Sequence, residues 1–157
     1  MKIEVWAIGK CAHAYLNTGI EQYCSKLKHY TSFGYIEYAE PKSMRTSDKV
    51  QSLKLQSDLI MSKLAPGDHL ILLDDKGKDY TSVGFSGYLN KILINSNKRN
   101  VFLIGGAFGF DEAVYSRANE KISLSRLTFS HDMVRLILVE QLYRGFTILR
   151  NEPYHHE

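Results

Sequence analysis

The hydrophobic and polar positions of the chain fall into two alternating patterns. In the first, short runs of mostly apolar residues predict five β-strands, because strands buried on both faces of a sheet have this composition. The strands are expected at residues 3–9, 34–39, 69–74, 100–106 and 121–125. Glycine, proline and polar residues separate these runs from the segments between them, as is typical of turns.

In the second pattern, apolar residues recur at intervals of three or four, which predicts helices between the strands. The helices are expected at 16–27, at 50–64 with Val50, Leu53, Ile60 and Leu64 on the inner face, at 85–93 with Thr81 or Ser82 as N-cap, from about Asp111, and at 132–149. Because strands alternate with helices, the sequence predicts an α/β fold with a mostly parallel sheet flanked by helices.

The last predicted helix is apolar around almost its whole circumference. Such a helix must be buried on every side, and one sheet covers only one side of it. We therefore expect a second copy of the chain to cover the other side in a symmetric homodimer.

Composition narrows the class of protein. A chain of 157 residues with 44% hydrophobic and 24% charged residues is typical of one globular domain, 1–157. Neither a signal peptide nor a run of ~18 apolar residues for a membrane span is present. Cys11 and Cys24 lack metal-site spacing, so we expect reduced thiols and a cytoplasmic protein.

The net charge of +3 comes from the first part of the chain. Residues 1–64 contain 9 basic and 6 acidic residues, whereas residues 65–157 contain 11 of each. This excess permits contact with phosphates but does not require it.

Ligands of parallel sheets collect at the carboxyl ends of the strands, which here points to the loops after Asp74, Ile104 and Ser125. The second loop, GGAFG, lacks the Lys-Ser/Thr pair of a phosphate-binding loop, and no carboxylate follows where a dinucleotide fold needs one. A tight strand-to-helix turn remains the alternative for these glycines.

Ser130, His131 and Asp132 do not predict a catalytic triad, because adjacent residues cannot aim three side chains at one point. Ser130 is expected to cap the last helix. Arg135, Arg144 and Arg150 indicate either ion pairs along the helix edge or a cluster for a phosphate or carboxylate. The tail NEPYHHE is either frayed or a contact for an RNA base, with Tyr154 as a stacking face.

The ordered set LIGGAFG, SLSRLTFSH, EQLYR and PYH resembles the large-subunit ribosomal RNA methyltransferase H family over the whole chain. That family belongs to the SPOUT class, whose carboxyl-terminal region is tied in a deep trefoil knot. The resemblance implies methyl transfer from S-adenosylmethionine, without a metal, to N3 of a pseudouridine (position 1915) in 23S ribosomal RNA. It also implies that the substrate is the assembled ribosome.

The resemblance assigns residues to two groups. The cofactor-binding group comprises Leu73, Gly105, Leu124, Ser125, Arg126, Leu127, Thr128 and Phe129. Leu73, Leu124 and Leu127 can clamp the flat, apolar adenine while backbone groups read its edge. The catalytic and substrate group comprises Arg144, Tyr154 and His155, with His155 as the expected base. In a homodimer, the tail of one copy could complete the pocket of the other.

The chain departs from the family pattern at four positions: Ser130 instead of Pro, Asp132 instead of a neutral residue, Gly145 instead of Ala, and His156 instead of Lys or Arg. Two other functions are alternatives. One is a non-enzymatic ribosome- or nucleotide-binding module, and the other is a hydrolase that uses His131.

Overall fold

The computed structural model of the chain describes residues 2–95 and 98–157. Within these ranges, five parallel strands form one sheet in the order β2-β1-β4-β3-β5. The strands are β1 (Lys2–Ile8), β2 (Ser32–Tyr38), β3 (His69–Lys78), β4 (Arg99–Ile104) and β5 (Glu120–Ile122). The predicted α/β architecture with a parallel sheet is confirmed.

Helices cover both faces of the sheet. The bounds are α1 (Ala14–Leu27), α2 (Lys49–Lys63), α3 (Ser82–Asn95), α4 (Glu112–Arg117) and α5 (Met133–Leu149), and a 3₁₀ helix (Lys42–Thr46) precedes α2. Helices α1, α3 and α5 share one apolar core with one face of the sheet, and α2 and α4 share a second core with the other.

Alternate residues of each central strand enter the two cores. In β1, Val5 faces the core of α1, α3 and α5, whereas Trp6 faces the core of α2 and α4. Both side chains are fully buried. This arrangement explains why the strands read as nearly continuous apolar runs rather than as alternating patterns.

Helix α5 lies on the sheet and packs against both α1 and α3. None of its residues is fully exposed, so three elements of the same chain cover most of its apolar circumference. Helices α1 and α3 thus cover parts of α5 that the sheet does not reach, and the homodimer expected from its apolar circumference stays a prediction. A Cβ on Gly145 would lie 2.5 Å from Leu89 Cδ1 of α3, and this close contact accounts for glycine where the family pattern has alanine.

The last strand is shorter than the sequence predicts. Strand β5 ends at Ile122, and residues 123–131 form a loop instead of continuing the strand. Strand β3 is irregular between Leu73 and Lys78. There Gly77 presses against β5, since a Cβ on it would lie 2.5 Å from the Ile122 carbonyl carbon. The loop after β5 then leads to α5, which packs against α3.

Helix α2 presents a different face to the sheet from the predicted one. Val50 is 78% exposed, whereas Ser52, Gln56 and Ser57 are buried together with Ile60. The apolar pattern fails here because side-chain hydrogen bonds of Ser52 and Gln56 orient this helix together with the packing of Ile60. The caps are as expected: Thr81 accepts a hydrogen bond from the Gly84 N–H at the start of α3.

No helix within residues 2–95 and 98–157 combines the length and the apolar character needed to span a membrane.

Candidate active site

A cavity of about 390 Å³ opens at the carboxyl ends of the sheet, where three loops converge. They are the irregular segment of β3 after Leu73, the loop after Ile104 of β4 and the loop after Ile122 of β5. Its lining consists of Leu73, Asp74, Asp75, Ile104, Gly105, Gly106, Ala107, Gly109, Phe110, Ile122, Ser123, Leu124, Ser125, Leu127, Thr128, Phe129, Ser130, His131 and Val134. This is the position that the sequence predicts for a ligand site.

Most residues of the predicted cofactor-binding group line this cavity. They are Leu73, Gly105, Leu124, Ser125, Leu127, Thr128 and Phe129. Arg126 does not: its side chain is 92% exposed and its Nε lies 3.3 Å from Asp79 Oδ2. The structure thus brings three separate segments of the predicted group together and turns one side chain out to solvent.

The loop of residues 105–109, here called the glycine loop, is closed tightly on itself. Gly109 adopts a φ of +72°, and Gly106 and Gly109 form an isolated β-bridge. A Cβ on Gly105 would lie 2.9 Å from the Phe110 ring, so only glycine allows that ring to pack here. Glycine at these positions is therefore required by the shape of the cavity wall.

Gln56 of α2 holds both ends of this loop. Its Oε1 accepts a hydrogen bond of 2.9 Å from the Gly106 N–H, and its Nε2 donates one of 2.8 Å to the Gly109 carbonyl. The side chain is buried. Sequence reasoning missed Gln56 because it stands among polar residues. Its place four residues before the buried Ile60 was the available signal.

The third loop is fixed by its own serines. Ser123 Oγ donates to the Ser125 carbonyl at 2.9 Å, and Ser125 Oγ accepts from the Leu127 N–H at 3.0 Å. These bonds shape the backbone around Leu127, whose side chain is 76% exposed at the cavity. An exposed apolar side chain in this position is available to cover a bound ligand or to contact another copy of the chain.

One wall of the cavity is acidic. Burial alone would raise the pKa of the Asp74 carboxyl, but hydrogen bonds from the Tyr115 hydroxyl and the Lys76 N–H outweigh it, and the pKa is lowered. Asp74 is therefore ionised at neutral pH and favours a cationic ligand nearby.

Ser130, His131 and Asp132 do not form a triad. Ser130 Oγ accepts a hydrogen bond from the Met133 N–H, as expected for a cap. Asp132 is buried and accepts from the Ala12 N–H at 3.2 Å. His131 lines the cavity, and its Nε2 lies 3.6 Å from Asp132 Oδ1, beyond hydrogen-bond range.

Arg135 anchors the start of α5. Its guanidinium is completely buried and donates to the carbonyls of Ile8, Gly9 and His131 and to the carboxylate of Glu37. Arg150 instead stacks on the ring of Tyr30, with 4.4 Å from Cζ to the centroid. The alternative of an arginine cluster for phosphate is therefore wrong, because Arg135 is inaccessible.

Arg144, Tyr154 and His155 form a second cluster at the other end of α5. Arg144 Nη1 lies 3.2 Å from His155 Nδ1, and its Cζ lies 4.7 Å from the centroid of the Tyr154 ring. The Tyr154 hydroxyl is 3.1 Å from both Tyr23 Oη and Glu140 Oε1. Burial, followed by the contacts with Tyr23 and Glu140, raises the pKa of Tyr154, so this phenol stays protonated.

The tail is ordered rather than frayed. The Glu152 N–H donates to the Thr147 carbonyl at 2.9 Å, and the Tyr30 hydroxyl donates to the Glu152 carboxylate. These contacts fold the tail back onto α1 and α5. One face of the Tyr154 ring is covered by Arg144, so only part of the expected stacking surface is open.

The two clusters are separate within one chain. Arg144, Tyr154 and His155 are absent from the lining of the cavity. Val134 lines the cavity at one end of α5, and Arg144 follows ten residues later, which corresponds to about 15 Å along the helix. The structure therefore does not bring the predicted catalytic group to the predicted cofactor group of the same chain.

Comparisons with known proteins identify the same family that the sequence motifs resemble, and the similarity extends over the whole chain. The family model described as "Predicted SPOUT methyltransferase" matches residues 1–155. The chain is similar to the "Ribosomal RNA large subunit methyltransferase H" of Parabacteroides distasonis, with 48% identity over 157 residues and 100% of both chains. It is 49% identical to the protein of that name from Cytophaga hutchinsonii over 156 residues, covering 99% of this chain and 100% of the relative. The chain belongs to the SPOUT methyltransferase family, and this membership implies a knotted fold.

Proposed function

We propose that the protein is an S-adenosylmethionine-dependent methyltransferase that modifies N3 of a pseudouridine in 23S ribosomal RNA of the assembled ribosome. The observation that carries this proposal is the cavity built from three strand-end loops in a chain of the SPOUT methyltransferase family. The names of its relatives, ribosomal RNA large subunit methyltransferases, support the substrate. In this proposal the protein works in the cytoplasm, with the ribosome as its partner.

The cavity fits S-adenosylmethionine in size and chemistry. Its volume of about 390 Å³ is within the usual range of small-molecule sites. Leu73, Leu124 and Leu127 supply apolar contacts for an adenine ring, and the loops supply backbone N–H and C=O groups. The ionised Asp74 on the acidic wall favours a ligand with positive charge, such as a sulfonium.

When bound, S-adenosylmethionine supplies an electrophilic methyl group on a sulfonium. The cofactor-binding group orients the ligand. Arg126 contributes its backbone to this group, and its exposed side chain does not take part. The buried side chains of Ile104, Phe110 and Ile122 exclude water from one side of it. Holding two reacting groups in line can lower a barrier by roughly 7–11 kcal/mol in favourable cases, so positioning accounts for much of the catalysis in this proposal.

Arg144, Tyr154 and His155 act on the RNA. Because a guanidinium only donates, Arg144 directs a lone pair of His155 Nδ1 toward itself. In this tautomer the ring proton lies on Nε2, so His155 accepts the N3 proton on Nδ1 after Arg144 has moved from this nitrogen toward the substrate. Tyr154 binds as a hydroxyl. Arg144, which is paired with Glu140 in the free protein, then faces the charge of the substrate. Since these residues lie about 15 Å along α5 from their own cavity, we infer that the tail of one copy completes the cavity of another in a homodimer.

Radiolabelled methyl transfer to ribosomes from a strain that lacks the protein tests this function. The expected result is incorporation into 23S ribosomal RNA of whole ribosomes and much less into free RNA. Absence of incorporation into both substrates contradicts the proposal.

Two further measurements separate the alternatives. A non-enzymatic binding module gives no heat when titrated with S-adenosylmethionine in a calorimeter. A hydrolase turns over generic esters and loses that turnover in His131→Ala.

A further inference from the structure

The surface beside the cavity on its α2 side is basic. Lys42 and Arg45 of the 3₁₀ helix and Lys49 at the start of α2 are all exposed. Among the residues that the structure describes, none of these three cations forms an ion pair with a carboxylate. Two carboxylates lie near these cations along the chain: Asp48 caps α2, and Glu40 lines the groove between the glycine loop and α2. The positive charge is therefore available to an external partner.

Phe108 connects this basic segment to the cavity. It belongs to the glycine loop, but its side chain does not line the cavity, unlike its neighbours Ala107 and Gly109. It lines instead a groove between that loop and α2, and it is 55% exposed. Lys49 Nζ lies 5.9 Å from the centroid of its ring. Phe108 and Lys49 thus lie together at an exposed position on the loop that forms one wall of the cavity.

The charge around the cavity is asymmetric. Asp74 and Asp75 form the acidic wall, whereas the three unpaired cations lie on the side of the glycine loop. The excess positive charge of the chain is confined to residues 1–64, which include this segment. A polyanion that reaches the cavity is attracted to the α2 side and repelled from the opposite wall.

Exposed cations close to an exposed aromatic ring are typical of proteins that bind single-stranded nucleic acid. We propose that Lys42, Arg45, Lys49 and Phe108, here called the Lys42 surface, bind RNA next to the nucleotide that enters the cavity. The cations contact the phosphate backbone, and Phe108 stacks on a flanking base. This inference rests on the proposed function and adds to it a substrate-binding surface outside the cavity.

The test replaces Lys42, Arg45 and Lys49 together with alanine in the full-length protein. The expected result is a KM for ribosomes raised roughly tenfold or more, with the dissociation constant of S-adenosylmethionine unchanged. The dependence of log affinity for isolated 23S ribosomal RNA on log salt becomes shallower by about 2, because each lost phosphate contact with a single strand removes about 0.7 from the slope. Phe108→Ala weakens RNA binding and leaves the salt slope unchanged.

A triple variant of the exposed Lys28, Lys63 and Lys91 to alanine is the matched control, because it removes the same net charge from other parts of the surface. The inference is overturned if this control weakens RNA binding as much as the Lys42 variant does, or if the Lys42 variant keeps the wild-type KM and salt slope. A raised KM for ribosomes with unchanged binding to isolated RNA assigns the surface to a protein partner instead, which also overturns it.

The two proposals fail in distinguishable ways. If the wild-type protein transfers no methyl group, the proposed function fails. Filter-binding of isolated RNA then still reports directly on the Lys42 surface. Calorimetry with S-adenosylmethionine verifies that each variant retains a folded cavity.

Discussion

At the residue scale, Gln56 is the side chain on which the shape of the glycine loop most depends. Gln56→Leu keeps similar volume but leaves the partly buried Gly106 N–H and Gly109 carbonyl without this side-chain partner. Each unsatisfied group costs about 1–3 kcal/mol. We therefore expect the dissociation constant of S-adenosylmethionine to rise roughly tenfold or more, measured by isothermal titration calorimetry.

Two further variants sharpen this prediction. Gln56→Glu can still accept from the Gly106 N–H but cannot donate to the Gly109 carbonyl, so it should be intermediate. Gln51→Leu lies on the exposed face of the same helix and should bind S-adenosylmethionine like the wild type. Wild-type affinity in Gln56→Leu would mean that the loop holds its shape without this side chain.

His155 gives a second prediction at this scale. If it removes the N3 proton, His155→Ala should lower the single-turnover rate about 100-fold, the lower range for general acid–base catalysis. It should leave the affinity for S-adenosylmethionine nearly unchanged, because His155 does not line the cavity of its own chain. Rapid-quench methyl transfer and calorimetry measure the two quantities. An equal loss of both would refute the assignment.

Individual residues differ in how far the sequence could predict them. Leu73, Gly105 and Leu127 were placed in the pocket from motif and strand-end position, and all three line the cavity. Gln56 was missed because a buried polar side chain gives no hydrophobic signal. The sequence also could not show that the Arg126 side chain points to solvent, because the turn made by the serines of its loop decides this direction.

At the element scale, the orientation of α5 depends on Arg135. Its guanidinium joins the start of α5 to the carboxyl end of β1 and to Glu37 of β2. Arg135→Met removes the ion-pair partner of the Glu37 carboxylate, which keeps the Cys11 N–H and the Tyr35 hydroxyl as partners. It also removes a donor from the carbonyls of Ile8 and Gly9. We expect the free energy of unfolding to fall by about 3–5 kcal/mol, measured by urea denaturation.

The matched control for this prediction is Arg126→Met, since Arg126 pairs with Asp79 at the exposed surface and should leave the unfolding midpoint unchanged. Arg135→Lys keeps the charge with fewer, less well-directed donors, and an intermediate loss is expected. The unfolding midpoint of Arg135→Lys can also be measured if Arg135→Met does not fold. A midpoint like that of the wild type in both Arg135 variants would contradict the anchoring role.

Strands were predicted better than helix faces. Buried parallel strands give continuous apolar runs, so β1 and β4 could be identified from composition alone. The face of α2 could not, because Gln56 and two serines lie inward while Val50 faces solvent. Strand β5 was predicted too long, since the apolar residues after Ile122 line a cavity rather than extend the sheet.

At the scale of the whole molecule, the proposed active site requires two copies of the chain. The cavity lies at one end of α5, and the cluster of Arg144, Tyr154 and His155 lies at the other. The dimer was first inferred from the apolar circumference of α5, but most of that surface is covered within the chain. The separation of the two clusters supports a dimer more strongly, because a neighbouring copy can bring its tail to the cavity.

Mixing two inactive variants tests this arrangement. Gly105→Val disables the cavity, because any Cβ at this position collides with Phe110, and His155→Ala disables the tail. Random exchange of subunits makes half of the dimers mixed, and each mixed dimer has one intact site of two. We therefore expect about a quarter of the wild-type turnover in an equimolar mixture, measured by methyl transfer to ribosomes after exchange.

The controls in this experiment decide between shared and self-contained sites. Calorimetry should show that Gly105→Val does not bind S-adenosylmethionine, and co-purification of two differently tagged copies should show that subunits have exchanged. If each chain contains its own complete site, the mixture has only the sum of the two residual activities, because every cavity still lacks either the methyl donor or its own His155. Full turnover by a monomer at high dilution would contradict the shared site equally directly, since an isolated chain keeps its tail about 15 Å along α5 from its cavity.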